Sequence, residues 1–313
     1  MKGNEDRRLF MKQRPERLKQ GDTVGIIALS SPLNMDELPL KIETIEALGL
    51  NYKLSPTVAH YEGYLAGTDE ERTNAFHELI KDPEVKAIFF VRGGYGLGRI
   101  ADKIDYPLVE ENPKIIWGFS DVTYLHTVMN EYSNLVTFHG PMLSRGDEPL
   151  DELSKKMFLQ LFQPMEIQYT EAISPLETIV GGSVRGEIFG GNLNRLVSTI
   201  GTKYEFDVKG KILLLEDVGE QLERIDGMMN QLRLSRKLEQ AAGFVLGSFT
   251  KLGENETEQD VYDLISSFIK PLNKPTVSGF RIGHCEPNIA IPLGVEAILD
   301  ADQKILRILP GIE

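Results

Sequence analysis

The sequence predicts an α/β fold: a parallel sheet covered by helices on both faces, then a smaller β-rich, barrel-like domain. Three observations carry this. In the first half, continuous apolar runs alternate with segments of helical period, the pattern of strands buried on both sides. Around residues 145–180 that pattern weakens into acidic, proline-containing text (GDEPLDEL, LFQPMEIQ, AISPLE). Past residue 275 the strands become short, which fits a compact, partly antiparallel or barrel-like arrangement.

In chain order, TVGIIALSSP (23–32) reads as a buried strand and a turn, 35–48 as a helix and NYKLSP (51–56) as a short strand. TDEERTNAFHELIKD (68–82) begins with a threonine cap and spaces Ala75, Leu79 and Ile80 helically. VKAIFFVRGG (85–94) is the most apolar strand and stops at a glycine pair. A helix around 97–103 follows, then strand KIIWGFS, helix DVTYLHTVMNEY and strand LVTFHGP (135–141). The second half restarts with SVRGEIFGGNLNRLVSTIG (183–201) and KGKILLLEDVGE (209–220). A helix at 221–237, strand AAGFVLGSFT, a helix near 257–270 and short strands at 275–280, 289–292, 295–300 and 304–309 complete it. The division drawn is an N-terminal domain at 14–160, a linker at 161–182 and a C-terminal domain at 183–313.

Composition bounds the function. With 41% hydrophobic and 26% charged residues the chain reads as an ordinary soluble globular protein. A net charge of −13 repels phosphate backbones, so nucleic acid and anionic membranes are not expected partners. The lone cysteine, Cys285, excludes an internal disulfide, which fits a reducing cytoplasm. The first residues lack the apolar stretch of a secretory signal, and no apolar run approaches the ~18–20 residues of a membrane span. Met11 offers a start of its own, so residues 1–10 read as a dispensable extension.

Chemistry in open parallel sheets gathers at the carboxyl ends of strands. The stretch IIWGFSD (115–121) ends there with Gly118, Ser120 and Asp121, and the Asp121 N–H opens the next helix. This resembles a nucleophile elbow that lacks its second glycine; alternatively, Ser120 is an N-cap. A serine nucleophile needs a base. His60 and His77 read as surface residues and His126 as pointing away, which leaves His139 and His284 as rivals. The base needs an orienting acid, and Glu216 and Asp217 both end an aliphatic strand; either could instead cap the following helix. In VRGGYGLGRIA, a Gly93 or Gly94 N–H could join that of Asp121 in a two-donor oxyanion hole.

The same turn supports a reading of another class. Gly96, Gly98 and Ala101 fit G-x-G-x-x-A, with Asp121 about 20 residues on, as in an NAD-binding Rossmann oxidoreductase. Metal chemistry lacks any H-x-H, H-E-x-x-H or paired-cysteine spacing. Cys285 reads as packing, and the Met228–Met229 pair as core.

GDTVGIIALSSP, FVRGGYGLGRI, IIWGFSDVTYLH, FHGPM, GGNLNRL, ILLLEDVGE with ERIDGMMNQLRL, and RIGH occur in that order. Together they resemble the L,D-carboxypeptidases, serine peptidases that include murein-recycling and microcin-immunity types, over the chain from about residue 14. The resemblance implies a Rossmann-like N-terminal domain carrying nucleophile Ser120, and a β-rich C-terminal domain carrying acid Glu216 and base His284. It implies an oxyanion hole from Gly94 and the Asp121 N–H, no cofactor, a small peptide substrate and a homodimer. The recycling type, which releases the terminal D-alanine of a cytoplasmic murein tetrapeptide, fits better than one that cleaves peptidyl-nucleotide amides. The immunity branch carries an aromatic loop near the domain junction, whereas here Trp117 is the only tryptophan. Arg92, Tyr95, Asn192 and Asn194 are candidates for substrate contact.

Overall fold

The computed structural model describes residues 12–313, so the proposed extension at 1–10 lies outside the described residues. Two sheets form the architecture. The first contains β1 (Thr23–Ile27), β2 (Asn51–Leu54), β3 (Val85–Phe90), β4 (Ile115–Gly118) and β5 (Thr137–His139), all parallel, in the order β5-β4-β3-β1-β2. Helices α1 (Leu38–Ala47), α2 (Asp69–Lys81), α3 (Tyr106–Glu111) and α4 (Thr123–Tyr132) connect them. Side chains alternate across a strand, so an apolar run serves two cores at once. Val24, Ile26, Phe89 and Trp117 pack on one face, against Phe158 and Leu161. Ile27, Ile88 and Ile116 pack on the other, against Phe76 and Leu125. At the start of α2, Thr68 Oγ1 accepts the Glu71 N–H while the Glu71 carboxylate accepts the Thr68 N–H, a reciprocal cap.

The second sheet is mixed and curls into a half-barrel of eight strands. Its centre is parallel: β8 (Ser183–Asn192), β9 (Ile212–Val218), β10 (Gly243–Thr250) and β11 (Thr276–Ser278). Helices α5 (Glu152–Lys156), α6 (Leu193–Val197), α7 (Leu222–Leu234), α8 (Lys237–Gln240) and α9 (Glu258–Ile269) complete the chain. Leu213, Leu215, Phe244 and Leu246 meet α7 and α9, where Met228 and Met229 are buried as expected.

Three sequence expectations are corrected. The stretch 161–182, expected as a linker, supplies β6 (Ile167–Tyr169) and β7 (Glu177–Val180), the two edge strands of the second sheet. The helix expected at 97–103 is two short 3-10 turns, because glycines at 96 and 98 leave no continuous helical face. The short strand expected near 289–292, β12 (Ile291–Leu293), leaves the C-terminal half and pairs antiparallel with β5, Ile291 opposite His139. The chain then returns to the second sheet as β13 (Val295–Asp300) and β14 (Ile305–Ile308). Among the described residues no helix is long and apolar enough to cross a membrane.

A buried arginine braces the end of β1 against the glycine turn. Arg72 on α2 donates to the Leu29 and Gly96 carbonyls, and its other arm meets Asp69 at 2.6 Å. Replacing it by methionine leaves the buried Leu29 carbonyl without its donor, whereas the Gly96 carbonyl keeps the Arg99 N–H and Asp69 keeps the Arg99 side chain. Arg72→Met is expected to lower unfolding stability by about 2 kcal/mol in urea titration.

Candidate active site

Strand β4 ends at Gly118, Phe119 is still extended, and Ser120 turns to φ +65° before a 3-10 turn (Ser120–Val122) runs into α4. A left-handed backbone at a residue with a Cβ is strained. It projects the Ser120 hydroxyl at the carboxyl end of the sheet, with the start of a helical segment behind it. The glycine turn after β3 folds directly over it. A Cβ on Gly93 would stand 2.9 Å from Ser120 Cβ and 3.0 Å from its Oγ, so only glycine fits. Among the described residues neither the Gly93 nor the Gly94 N–H has a protein acceptor. These donors remain open to an anion.

The second sheet brings the acid. Glu216 lies on β9 opposite Asn192 of β8, with no solvent exposure. Its Oε2 meets His284 Nδ1 at 2.7 Å. Burial alone would raise this carboxyl; the attraction of His284 and His139 outweighs it and holds the group down to about 2. The His284 loop is fixed from both sides. Thr250 Oγ1 on β10 donates to the His284 carbonyl at 2.9 Å, and the Gly283 N–H donates to Asn288 Oδ1 at 3.1 Å. Gly283 has φ +108°, and a Cβ there would fall 2.3 Å from Glu216 Oε2. The Phe119 ring, next to Ser120, packs on the His284 ring at 4.7 Å. The structure thus pairs His284 with Glu216 and seats Phe119 against the imidazole. No hydrogen bond joins the Ser120 hydroxyl to the His284 ring.

The rivals occupy other places. His139, fully buried at the end of β5, has its Nε2 3.7 Å from Glu216 Oε1, the oxygen that does not meet His284. Asp217 accepts from the Asn192 side chain and from the Asn194 and Val218 N–H groups. Burial, with Glu216 adjacent, pushes its carboxyl up to about 6. Asn192 also accepts the Arg195 N–H, and Asn194 donates to Glu220 at 2.6 Å. Both amides are engaged in holding the β8–α6 turn. Arg92 bonds the Pro32 carbonyl at 3.1 Å, and exposed Tyr95 packs under Arg195 at 5.5 Å. His126, expected to point away, turns back under β4: its Nε2 meets the Gly118 carbonyl at 2.8 Å, and burial drives its pKa down to about 3. His77, expected at the surface, is half-buried and accepts the Asp105 N–H at 2.9 Å. The Cys285 thiol is pushed up to about 12 by burial, which removes it as a thiolate nucleophile.

The dinucleotide reading is corrected by Asp121. Its carboxylate is buried and accepts from Ser30 Oγ at 2.7 Å and the Leu97 N–H at 2.9 Å, with Arg195 at 3.3 Å. Committed to closing the glycine turn, it is not presented to a ribose, and no helix starts where a pyrophosphate would need one. Ser30 and Arg195 were not singled out from sequence; the SSP turn after β1 and the arginine of GGNLNRL were the available signals. Beside His284 opens a cavity of about 580 Å³ whose walls include Phe119, Met142, Ser144, Arg145 and Lys251. Ser144 is held by buried Lys41, whose Nζ donates to its hydroxyl at 2.6 Å. Among the described residues no group of His, Cys, Asp or Glu is arranged to hold a metal ion.

Known proteins share this arrangement of domains. The family model described as LD-carboxypeptidase N-terminal domain matches residues 24–140, and that of the LD-carboxypeptidase C-terminal domain matches residues 185–299. A Bacillus subtilis protein named a probable murein peptide carboxypeptidase is 43% identical over 303 residues, covering 96% of this chain and 95% of its own. The microcin C7 self-immunity protein of Escherichia coli is 26% identical over 323 residues, covering 93% and 94%. The solved structure of a muramoyltetrapeptide carboxypeptidase from Oxalobacter formigenes superposes with a TM-score of 0.79 at 25% identity, covering 91% and 97%.

Two stability effects are expected from this geometry. Ser120→Gly relieves the left-handed strain that Ser120→Ala retains, so the glycine variant should unfold about 1 kcal/mol later in denaturant than the alanine variant. Against the raising effect of burial, the His284 and His139 rings beside it hold the Glu216 carboxyl down to about 2, so its stabilisation is present above 4.5 and is lost as pH falls toward 2. Stability measured across that window should fall less steeply in Glu216→Gln than in the native chain.

Proposed function

The chain belongs to the LD-carboxypeptidase family and is a serine-type carboxypeptidase, and from that premise we propose that Ser120, His284 and Glu216 form a catalytic triad releasing the terminal D-alanine of murein tetrapeptides. The observation that carries the reading is the 2.7 Å pair of Glu216 with His284, set beside the residue that precedes a strained serine. The 43% identity to the protein named a probable murein peptide carboxypeptidase supports the murein substrate over a peptidyl-nucleotide. The substrate would then be a cytoplasmic wall fragment.

Glu216 binds the Nδ1–H tautomer and leaves Nε2 of His284 as the base. Substrate binding closes the remaining gap between hydroxyl and imidazole, as catalytic hydrogen bonds often tighten only in the complex. Nε2 takes the Ser120 proton as Oγ bonds to the carbonyl carbon before D-alanine. The negative charge gathers on the carbonyl oxygen, met by the Gly94 and Asp121 N–H groups. The C–N bond breaks, and His284 returns the proton to the amine of D-alanine. Water, deprotonated by the same imidazole, then attacks the acyl-serine ester and frees the shortened peptide and Ser120.

The test is incubation with a tetrapeptide ending in D-alanine, with the tripeptide read by mass spectrometry. Ser120→Ala and His284→Ala are each expected to abolish the product while their unfolding transitions remain cooperative. Full turnover in either variant removes that residue from the mechanism. Turnover of a peptidyl-nucleotide amide, with the tetrapeptide left intact, would move the chain to the immunity type.

A further inference from the structure

We infer that His139 is a positioning residue for the acid, donating from Nε2 to the outer oxygen of Glu216 so that the inner oxygen is kept for His284. The inference rests on the proposed roles of Glu216 and His284. Its basis is a set of unpaired atoms. Glu216 Oε1 and both ring nitrogens of His139 are buried without a hydrogen-bond partner among the described residues. Oε1 and Nε2 nevertheless face one another across 3.7 Å, between side chains that have no solvent exposure. Buried polar groups are paired almost without exception, and neither side chain is exposed to bulk solvent.

Chemistry selects which nitrogen carries the proton. A neutral imidazole has one donor and one acceptor, and a carboxylate only accepts. Placing the proton on Nε2 aims the donor at Glu216 and leaves only a lone pair unpaired at Nδ1. The other titratable groups around the ring are His126 of α4, 6.1 Å away between ring centroids and already bonded to the Gly118 carbonyl, and His284 across the carboxylate. The ring is also sterically confined. Gly191 of β8 has φ +139°, and a Cβ there would stand 3.2 Å from His139 Cδ2 and 2.7 Å from Thr123 Oγ1. β12 runs along its other side, Ile291 in register with it.

The experiment compares His139→Phe, which keeps a ring and loses the donor, with His139→Gln, whose amide reaches the same point. In His139→Phe the kcat for tetrapeptide cleavage should fall about tenfold, the scale on which outer orienting bonds act, with KM little changed. The acid limb of the kcat/KM profile should move up by about one pH unit, because a carboxylate that has lost its outer donor holds the protonated His284 more tightly. His139→Gln should restore both. An unchanged rate and profile in His139→Phe, or equal damage in His139→Gln, overturns the inference. Imidazole 15N spectra of the native protein give a readout that needs no folded variant: a protonated Nε2 at His139 is expected, and a protonated Nδ1 overturns it. If His284→Ala remains active, the underlying triad fails; if it is inactive while His139→Phe is unaffected, only this inference fails.

Discussion

The carboxylate of Glu216 is the constraint on which the rest of the site depends. An ionised acid without solvent contact is costly unless opposite charge or hydrogen-bond donors surround it. Here they come from two directions: His284 from the loop that follows β11, and His139 from the end of β5 in the other sheet. The acid therefore sits on the seam, and keeping it ionised requires both sheets to stay in place. β12 reinforces this by crossing from the second half to pair with β5 beside His139.

Ser120 is positioned differently. Ser120 stores backbone strain, and the surroundings must hold what its own conformational preference would release. The holding is polar and remote from the hydroxyl. Asp121 ties Ser30 and the Leu97 N–H to the turn after Ser120, and Arg72 ties the Leu29 and Gly96 carbonyls together. The glycine turn is thus fixed over the serine, where a Cβ on Gly93 would stand 3.0 Å from the hydroxyl oxygen. Such preorganisation lets backbone donors meet developing charge without rearranging.

Several features were legible because they depend on neighbours in the chain. The apolar runs around Ile26, Phe89 and Trp117 marked buried parallel strands, and Thr68 with Glu71 marked a helix start. Others were misread where local signals are ambiguous. Gly96, Gly98 and Ala101 satisfy a dinucleotide spacing, but spacing does not reveal that Asp121 turns inward to close the loop. Strands β6 and β7 lie in proline-containing text with little alternation, and they pair as sheet edges where one flank needs no partner. Spacing likewise does not reveal that Asp217 and Glu220 accept from the side-chain amides of Asn192 and Asn194.

By itself the sequence determined the two-part α/β plan, the strand-end position of Ser120 and the short set of acids and histidines from which a triad could be drawn. Periodicity and turn chemistry act over a few residues, so they are written locally. Local signals left Glu216 against Asp217 and His284 against His139, and family resemblance favoured the first of each; that Glu216 faces His284 with His139 at its other oxygen was decided only by the tertiary structure. Those contacts span 68 or 77 residues of chain; the first is set by the strand order within the second sheet and the second by the meeting of the two sheets, not by any local preference.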